Sequence, residues 1–218
     1  MVTAGPVTWA NWGRTAGCSP ARTASPRGDD EIREVLARAA AESLPVKVVG
    51  AGHSFTDIAC TEGVHVDLSR HNRVLTSDTA ARTVTAEGGI TLGALADELA
   101  KHGLAQSNLG DIGYQTLAGA ISTATHGTGT AFGTLSTQVT ALELLTAKGE
   151  LVRCADGDLL RAARVSLGAL GVISRVTLQC EPAFNLHAVE QPAKLDDVLE
   201  RFEDLVRRNE HFEFYWFP

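Results

Sequence analysis

Residues 46–55 read Val-Lys-Val-Val-Gly-Ala-Gly-His-Ser-Phe, a β-branched run that passes directly into a Gly-x-Gly turn. In a doubly wound nucleotide-binding fold, a third glycine follows three residues on, where a helix packs closely over the strand. Phe55 occupies that place, and no helical pattern begins before Thr61. A nicotinamide-dependent dehydrogenase of that fold would rest on Gly50 and Gly52 alone. What remains is a strand-to-loop turn whose exposed backbone N–H groups can cradle an anion. His53 sits at its tip, where by itself it reads as a polar turn residue or as a contact to a ligand.

A second segment, Leu117 to Thr130, reads LAGAISTATHGTGT, and from Ala118 onward only Ile121 and His126 carry side chains larger than threonine. Glycine has no Cβ and serine and threonine offer hydroxyls, so such a run lets backbone approach something flat while satisfying its polar atoms. A planar ring system fits there, and so does a neighbouring strand. A third segment, ARVSLGALGVISRVTLQCEP from Ala163 to Pro182, places Gly168 and Gly171 around an apolar turn before a strand. Packing alone accounts for it.

Between these segments the apolar spacing predicts a mixture of helices and strands. The first 28 residues, rich in Gly, Pro, Ser and Thr, read as an irregular arm anchored by Trp9 and Trp12. Ile32, Val35, Leu36, Ala39 and Ala40 recur at helical spacing behind Asp29-Asp30-Glu31, which predicts a helix over about residues 30–43 ended by Pro45. Val64, Val66 and Leu68 alternate as a half-buried strand does, and Val74 to Thr85 holds two more strands turned around Ser77-Asp78. Leu92, Leu95, Ala96 and Leu99 form a helical stripe that stops near His102-Gly103. A hairpin over 139–154 turns at Lys148-Gly149, a helix follows from Asp158 to Val165, and a strand runs from Gly171 to Gln179. Beyond Pro182 the pattern predicts a charged helix from Leu195 to Arg208 and a terminal aromatic strand, FEFYWF, whose unpaired edge implies that the natural polypeptide continues.

The 218 residues are 44% hydrophobic and carry a formal charge of −7, which allows a sizeable core and removes the clustered basic surface of a nucleic-acid or anionic-membrane binder. A small neutral or polar substrate is more natural. No run approaches the roughly 20 apolar residues of a membrane span, and the N-terminus lacks the pattern of an export signal. The expected location is cytoplasmic or peripheral to a membrane. Cys18, Cys60, Cys154 and Cys180 are scattered without metal-ligand spacing and read as buried thiols, with no metal site.

Taken in order, WANWG, VVGAGHSFTDIACTEGVHVDLS, TLAGAISTATHGTG, ARVSLGALGVISRVTLQ and HFEFYWFP resemble the FAD-binding domain of vanillyl-alcohol-oxidase-type flavoproteins, and within it the aldonolactone oxidases and dehydrogenases. The resemblance covers nearly the whole chain. It implies an α+β fold, a PCMH-type FAD-binding domain of two α/β subdomains over 15–183, entered from the arm of 1–28 and followed over 184–218 by the start of a truncated substrate domain. It implies FAD held by Val48, Val49, Gly50, Ala51, Gly52, His53 and Ser54 around the pyrophosphate, with His53 bonded covalently to the flavin. Thr116, Gly119, Ser122, His126, Gly127 and Thr128 match the second flavin-contacting stretch, and Val172 and Ile173 the adenine end. The implied reaction oxidises a hydroxyl of a sugar 1,4-lactone by hydride transfer to flavin N5, with oxygen or another acceptor taking the electrons. A polyol substrate, as in the related alditol oxidases, is the alternative. The resemblance places the catalytic residues beyond Pro218.

Overall fold

The computed structural model describes residues 2–4 and 8–217. Its first sheet is assembled from short strands separated by long connections. β1 (Val2–Ala4) precedes a small hairpin of β2 (Trp9–Ala10) and β3 (Gly17–Cys18), and then β4 (Arg22–Ala24) leads into helix α1 (Asp29–Ala41). β5 (Val46–Val49) and β6 (Val64–Asp67) complete a four-stranded sheet in the order β1-β4-β6-β5. Both β4 and β5 run parallel to β6, because α1 and the long loop after β5 supply the crossovers that parallel pairing requires. The three acids at the start of α1 face its positive end, and its apolar stripe buries Ile32, Leu36 and Ala39.

The second sheet is antiparallel throughout and larger. β7 (Val74–Asp78) and β8 (Thr83–Glu87) form a hairpin, followed by α2 (Leu92–Lys101), β9 (Leu104–Ala105) and α3 (Leu117–Ser122). β10 (Val139–Leu145), β11 (Leu151–Cys154), α4 (Gly157–Arg164) and β12 (Val172–Gln179) complete it, in the order β11-β10-β12-β8-β7. β13 (Glu181–Pro182) returns to pair with β9. Helices α2, α3 and α4 cover one face with Leu92, Leu95, Leu99, Leu117, Ile121 and Leu160, which pack with Val84, Leu142, Val176 and Leu178 of the sheet. Each such side chain contributes about 1.5–3 kcal/mol when fully buried.

Two devices join the sheets. Leu145 and Val172, paired at the ends of β10 and β12, pack with Ile32, Val64 and Val66 instead of with the helices of their own sheet. Beside them runs a chain of polar groups. Ser174 Oγ donates to Asp29 Oδ1 at 2.5 Å, Arg175 donates to Asp29 Oδ2 at 2.7 Å and to Glu143 Oε2 at 2.6 Å, and the His71 ring lies 3.0 Å from Ser174 Oγ and 3.3 Å from Glu87 Oε1. Arg73 closes the chain, its guanidinium and its backbone N–H each donating to Glu87 at 2.8 Å. Burial pushes the carboxyls of Asp29 and Glu87 up, but the donors around them outweigh it and hold both below their ordinary values.

Three local expectations change. The β7–β8 turn follows Asp78 instead of being centred on Ser77-Asp78, because Asp78 Oδ1 accepts from the Ala81 N–H at 2.8 Å and Arg82 adopts a left-handed φ of 53°. The helix expected over 195–208 is two, α5 (Leu195–Glu200) and α6 (Phe202–Arg208), broken at Arg201. Neither buries a side chain, so no core contact holds the run straight. The aromatic segment 212–217 forms no strand, and the residue ahead of it, His211, meets the 125–132 loop. His211 stacks on Phe132 with centroids 4.9 Å apart, and the Tyr215 hydroxyl donates to Asp111 at 3.1 Å.

A candidate flavin cleft between two unlike walls

The turn after β5 and the start of α3 face each other across an open cleft. Val48 to Ser54 form one wall, and Gln115, Thr116, Ala118, Gly119, Ala120, Ser122 and Thr123 the other. Gly88, Leu167, Gly168, Gly171 and Ile173 complete it.

The first wall is held by the N-terminal arm. The Asn11 amide donates to the Ser54 carbonyl at 2.9 Å, Trp12 N–H donates to the Gly52 carbonyl at 2.8 Å, and Thr15 Oγ1 donates to the Phe55 carbonyl at 2.7 Å. Gly52 takes a left-handed φ of 71°, and a Cβ there would meet Trp9 at 3.2 Å, so two requirements converge on glycine. None of the backbone amides from Ala51 to Ser54 donates to another described backbone carbonyl. His53 lies under the Trp12 ring, centroids 5.3 Å apart and planes 28° from parallel. Its Nδ1 is buried without a described partner, although the residue as a whole is only half-buried. A buried nitrogen in that state is open to a bond from water or a ligand.

The second wall is built by packing. Leu117 and Ile121 are fully buried, which aims the opposite side of α3, with Gly119 and Ser122, at the cleft. Thr116 caps the helix, its Oγ1 accepting from the Gly119 N–H at 3.4 Å. The two walls come close at Gly50, where an added Cβ would collide with Thr116 Oγ1. Among the described residues no carboxylate-bearing residue lines the cleft, in a chain of net charge −7, and Lys47 is the one formally charged lining residue. That balance suits an anionic ligand. Backbone N–H groups and a lysine can receive phosphate, and the small residues of α3 leave room for a flat ring.

Of the residues singled out from sequence, Val48 to Ser54, Thr116, Gly119, Ser122 and Ile173 line the cleft together. Val172 faces a neighbouring apolar pocket beneath α1, which continues from the cleft through Lys47, Val48 and Gly171. His126, Gly127 and Thr128 stand apart. Gly127 packs against Leu109 and Asn108, His126 is exposed, and the Thr128 carbonyl lies 3.1 Å from the His211 ring. Sequence reasoning missed Lys47, Gly88 and Gln115. A buried glycine ahead of the Thr91 cap was the available sign for Gly88, while nothing local marked Lys47 or Gln115.

Among the described residues no helix is long and apolar enough to cross a membrane, and no cluster of three or more His, Cys, Asp or Glu side chains could hold a metal ion.

Comparison with known proteins bears on the same residues. Residues 20–155 match the FAD binding domain family, and residues 176–218 match D-arabinono-1,4-lactone oxidase. The chain is 48% identical over 210 residues to L-gulono-1,4-lactone dehydrogenase of Mycobacterium tuberculosis, covering 96% of this chain and 49% of that protein. It is 47% identical to L-gulonolactone oxidase of Bos taurus, covering 97% and 49%, and 46% identical to the Mus musculus enzyme of the same name over the same shares. The chain thus spans about half the length of the curated relatives it matches. With a match over residues 20–155 that includes both facing walls of the cleft, the chain belongs to the FAD binding domain family.

Proposed function

We propose that the cleft holds FAD, covalently through His53, and that the chain is the FAD-binding part of an enzyme that oxidises a hydroxyl of a sugar 1,4-lactone. The observation that carries the cofactor reading is the buried, unpartnered Nδ1 of His53 at the edge of a cleft without carboxylates. Gulonolactone and arabinonolactone are the substrates named for the relatives, and they supply the substrate class.

In this reading the two sheets, each with its own core, are the two subdomains of a PCMH-type domain. The free amides of residues 51–54 and the Lys47 ammonium receive the pyrophosphate, and Gly50 keeps the space against Thr116 open. Gly119 and Ser122 bound the ring, Val172 and Ile173 bound the adenine end, and His126, Gly127 and Thr128 act from the adjoining loop. Bound FAD supplies a two-electron acceptor for a carbinol C–H. His53 Nδ1 is the attachment atom, Trp12 and Asn11 hold it in place, and the group that removes the hydroxyl proton belongs to the half of the relatives this chain does not span. Because of that half-length match, a second reading is a cofactor-binding module that turns over only with the remaining half present.

Protein produced with ample FAD and precipitated with acid tests the attachment. The pellet keeps its colour and the intact mass equals polypeptide plus one FAD, while His53→Ala releases all flavin to the supernatant. A bare polypeptide mass for the wild type removes His53 as the attachment site, and a colourless wild type removes FAD altogether. Adding gulonolactone and a dye acceptor separates the readings of activity: sustained turnover excludes the module, and a yellow but inert protein excludes activity of this half alone.

A further inference from the structure

The four cysteines fall into two classes. Cys154 and Cys180 are buried in the second sheet's core, and burial, aided by the charge of Glu181, pushes the Cys180 thiol up to about 11. Cys18 and Cys60 are half-buried and are neighbours, next to Ala59 of the cleft lining. Cys18 lies on β3 opposite Trp9, and its Sγ accepts the backbone N–H of Thr61, the residue that follows Cys60, at 3.4 Å. A single turn of 3-10 helix over Asp57–Ala59, closed by the Cys60 N–H donating to the Asp57 carbonyl at 2.8 Å, turns the chain so that Cys60 arrives there. His65 Nε2 lies 3.8 Å from the Cys18 sulfur and 2.7 Å from the Ala59 carbonyl. Two half-buried thiols far apart in sequence are therefore neighbours beside an imidazole and an N–H donor.

We propose that Cys18 and Cys60 are a redox pair whose disulfide fastens the tryptophan hairpin to the loop that carries His53. The hairpin of β2 and β3 brings Asn11 and Trp12 to that loop through a hydrogen bond to Ser54 and a ring stack on His53, and Cys18 is at its base. The importance of the fastening rests on the cofactor reading above, whereas formation of the bond does not.

The oxidant is a low-molecular-weight disulfide. Cys18, whose sulfur already receives an N–H donor, loses its proton and attacks one sulfur of that disulfide, forming a mixed disulfide and releasing one small thiol. Burial first and the neighbouring Cys18 second push the Cys60 thiol up, and the mixed disulfide removes the second of these effects. Cys60 then attacks the Cys18 sulfur and expels the second small thiol. Two protein thiols are oxidised by two electrons, the small disulfide is reduced to two thiols, and the two protons end on the released thiols.

The full chain is incubated with oxidised glutathione and quenched with acid. We expect the intact mass to fall by about 2 Da, one hydrogen from each thiol, with two of the four thiols lost to maleimide labelling. A tryptic cross-link should join residues 15–22 to residues 48–70. Cys60→Ser should stop at the mixed disulfide on Cys18, and Cys18→Ser should leave the other three thiols free. Trypsin cleavage after the exposed Arg14 should be slower in the oxidised wild type than in the reduced form, with no such difference in Cys60→Ser. An unchanged thiol count, a cross-link through Cys154 or Cys180, or a bond only between two chains overturns the pair. Equal cleavage rates in the two redox forms overturn the fastening. Peptide mapping reads none of this through flavin, so its failure is distinct from failure of the cofactor reading.

Discussion

The two walls of the cleft are made by different physics. The α3 wall is an outgrowth of the larger core: Leu117 and Ile121 are sealed beneath it, and its position follows from how those side chains pack. The 50–54 wall has no such anchor. It is a loop gripped by the N-terminal arm, through the buried side chain of Asn11 and the flanking contacts of Trp12 and Thr15. Interior packing tolerates no loss of volume, whereas a clamp of hydrogen bonds can be released without unfolding the domain. The comparison separates a face that is rigid because it belongs to the core from a face that is ordered because it is held.

Leu117→Ala gives the largest effect. It removes a fully buried side chain from the core and should cost about 2–5 kcal/mol in urea unfolding, with flavin binding lost in parallel with stability. Asn11→Ala is the contrasting case. It leaves the Ser54 carbonyl and the Thr15 and Ala16 amides without the Asn11 side chain, a local cost of about 1–3 kcal/mol. Hydrogen exchange should rise at residues 50–55 while the second sheet stays protected. If exchange rises equally in β10 and β12, the clamp is part of the global core and the contrast between the walls fails.

Gly50→Ala probes the point where the walls meet. The added methyl collides with Thr116 Oγ1 and should cost about 1–3 kcal/mol, read as weaker flavin binding. Thr116→Ala removes that oxygen together with a helix cap worth about 1 kcal/mol, so the double variant should bind flavin better than Gly50→Ala alone. Additive losses would place the close approach elsewhere.

The smallest effect belongs to the seam between the sheets. Because the folded-state values of Asp29 and Glu87 are lowered, their contribution is complete above about pH 5 and is lost as the pH falls through 4 and below. Asp29→Asn exchanges charge-assisted hydrogen bonds for neutral ones and should cost about 1 kcal/mol at pH 7, and the difference from wild type should shrink as the pH falls below about 4 through the lowered folded-state value. A difference that persists in acid would mean that shape, and not charge, holds the seam.

Much of the fold was legible along the chain. The periodicities over 29–41, 92–101, 139–154 and 172–179 became helices, hairpin and strand close to the expected bounds, because each carries its own apolar pattern. The terminal FEFYWF is the counterexample. Its pattern is that of a strand, but strand formation requires a partner, and among the described residues no strand pairs with it. At the site, the Gly-x-Gly-His turn and the small-residue run were visible as motifs, whereas Lys47 and Gln115 look like any surface residue until the fold turns them toward the same space. His126 to Thr128 share a motif with Gly119 and Ser122, but the end of α3 carries them away from the cleft.

The sequence by itself determined which segments are strand and helix, that Phe55 breaks the dinucleotide fingerprint, and that the chain resembles the flavin-binding aldonolactone enzymes. These are local properties, set by period, by glycine and by residue size. The tertiary structure alone decided that the arm clamps the His53 loop, that the cleft excludes carboxylates from an acidic chain, and that Cys18 meets Cys60. Those facts depend on which distant segments are brought together, and long-range contact is a property of packing that no local pattern encodes.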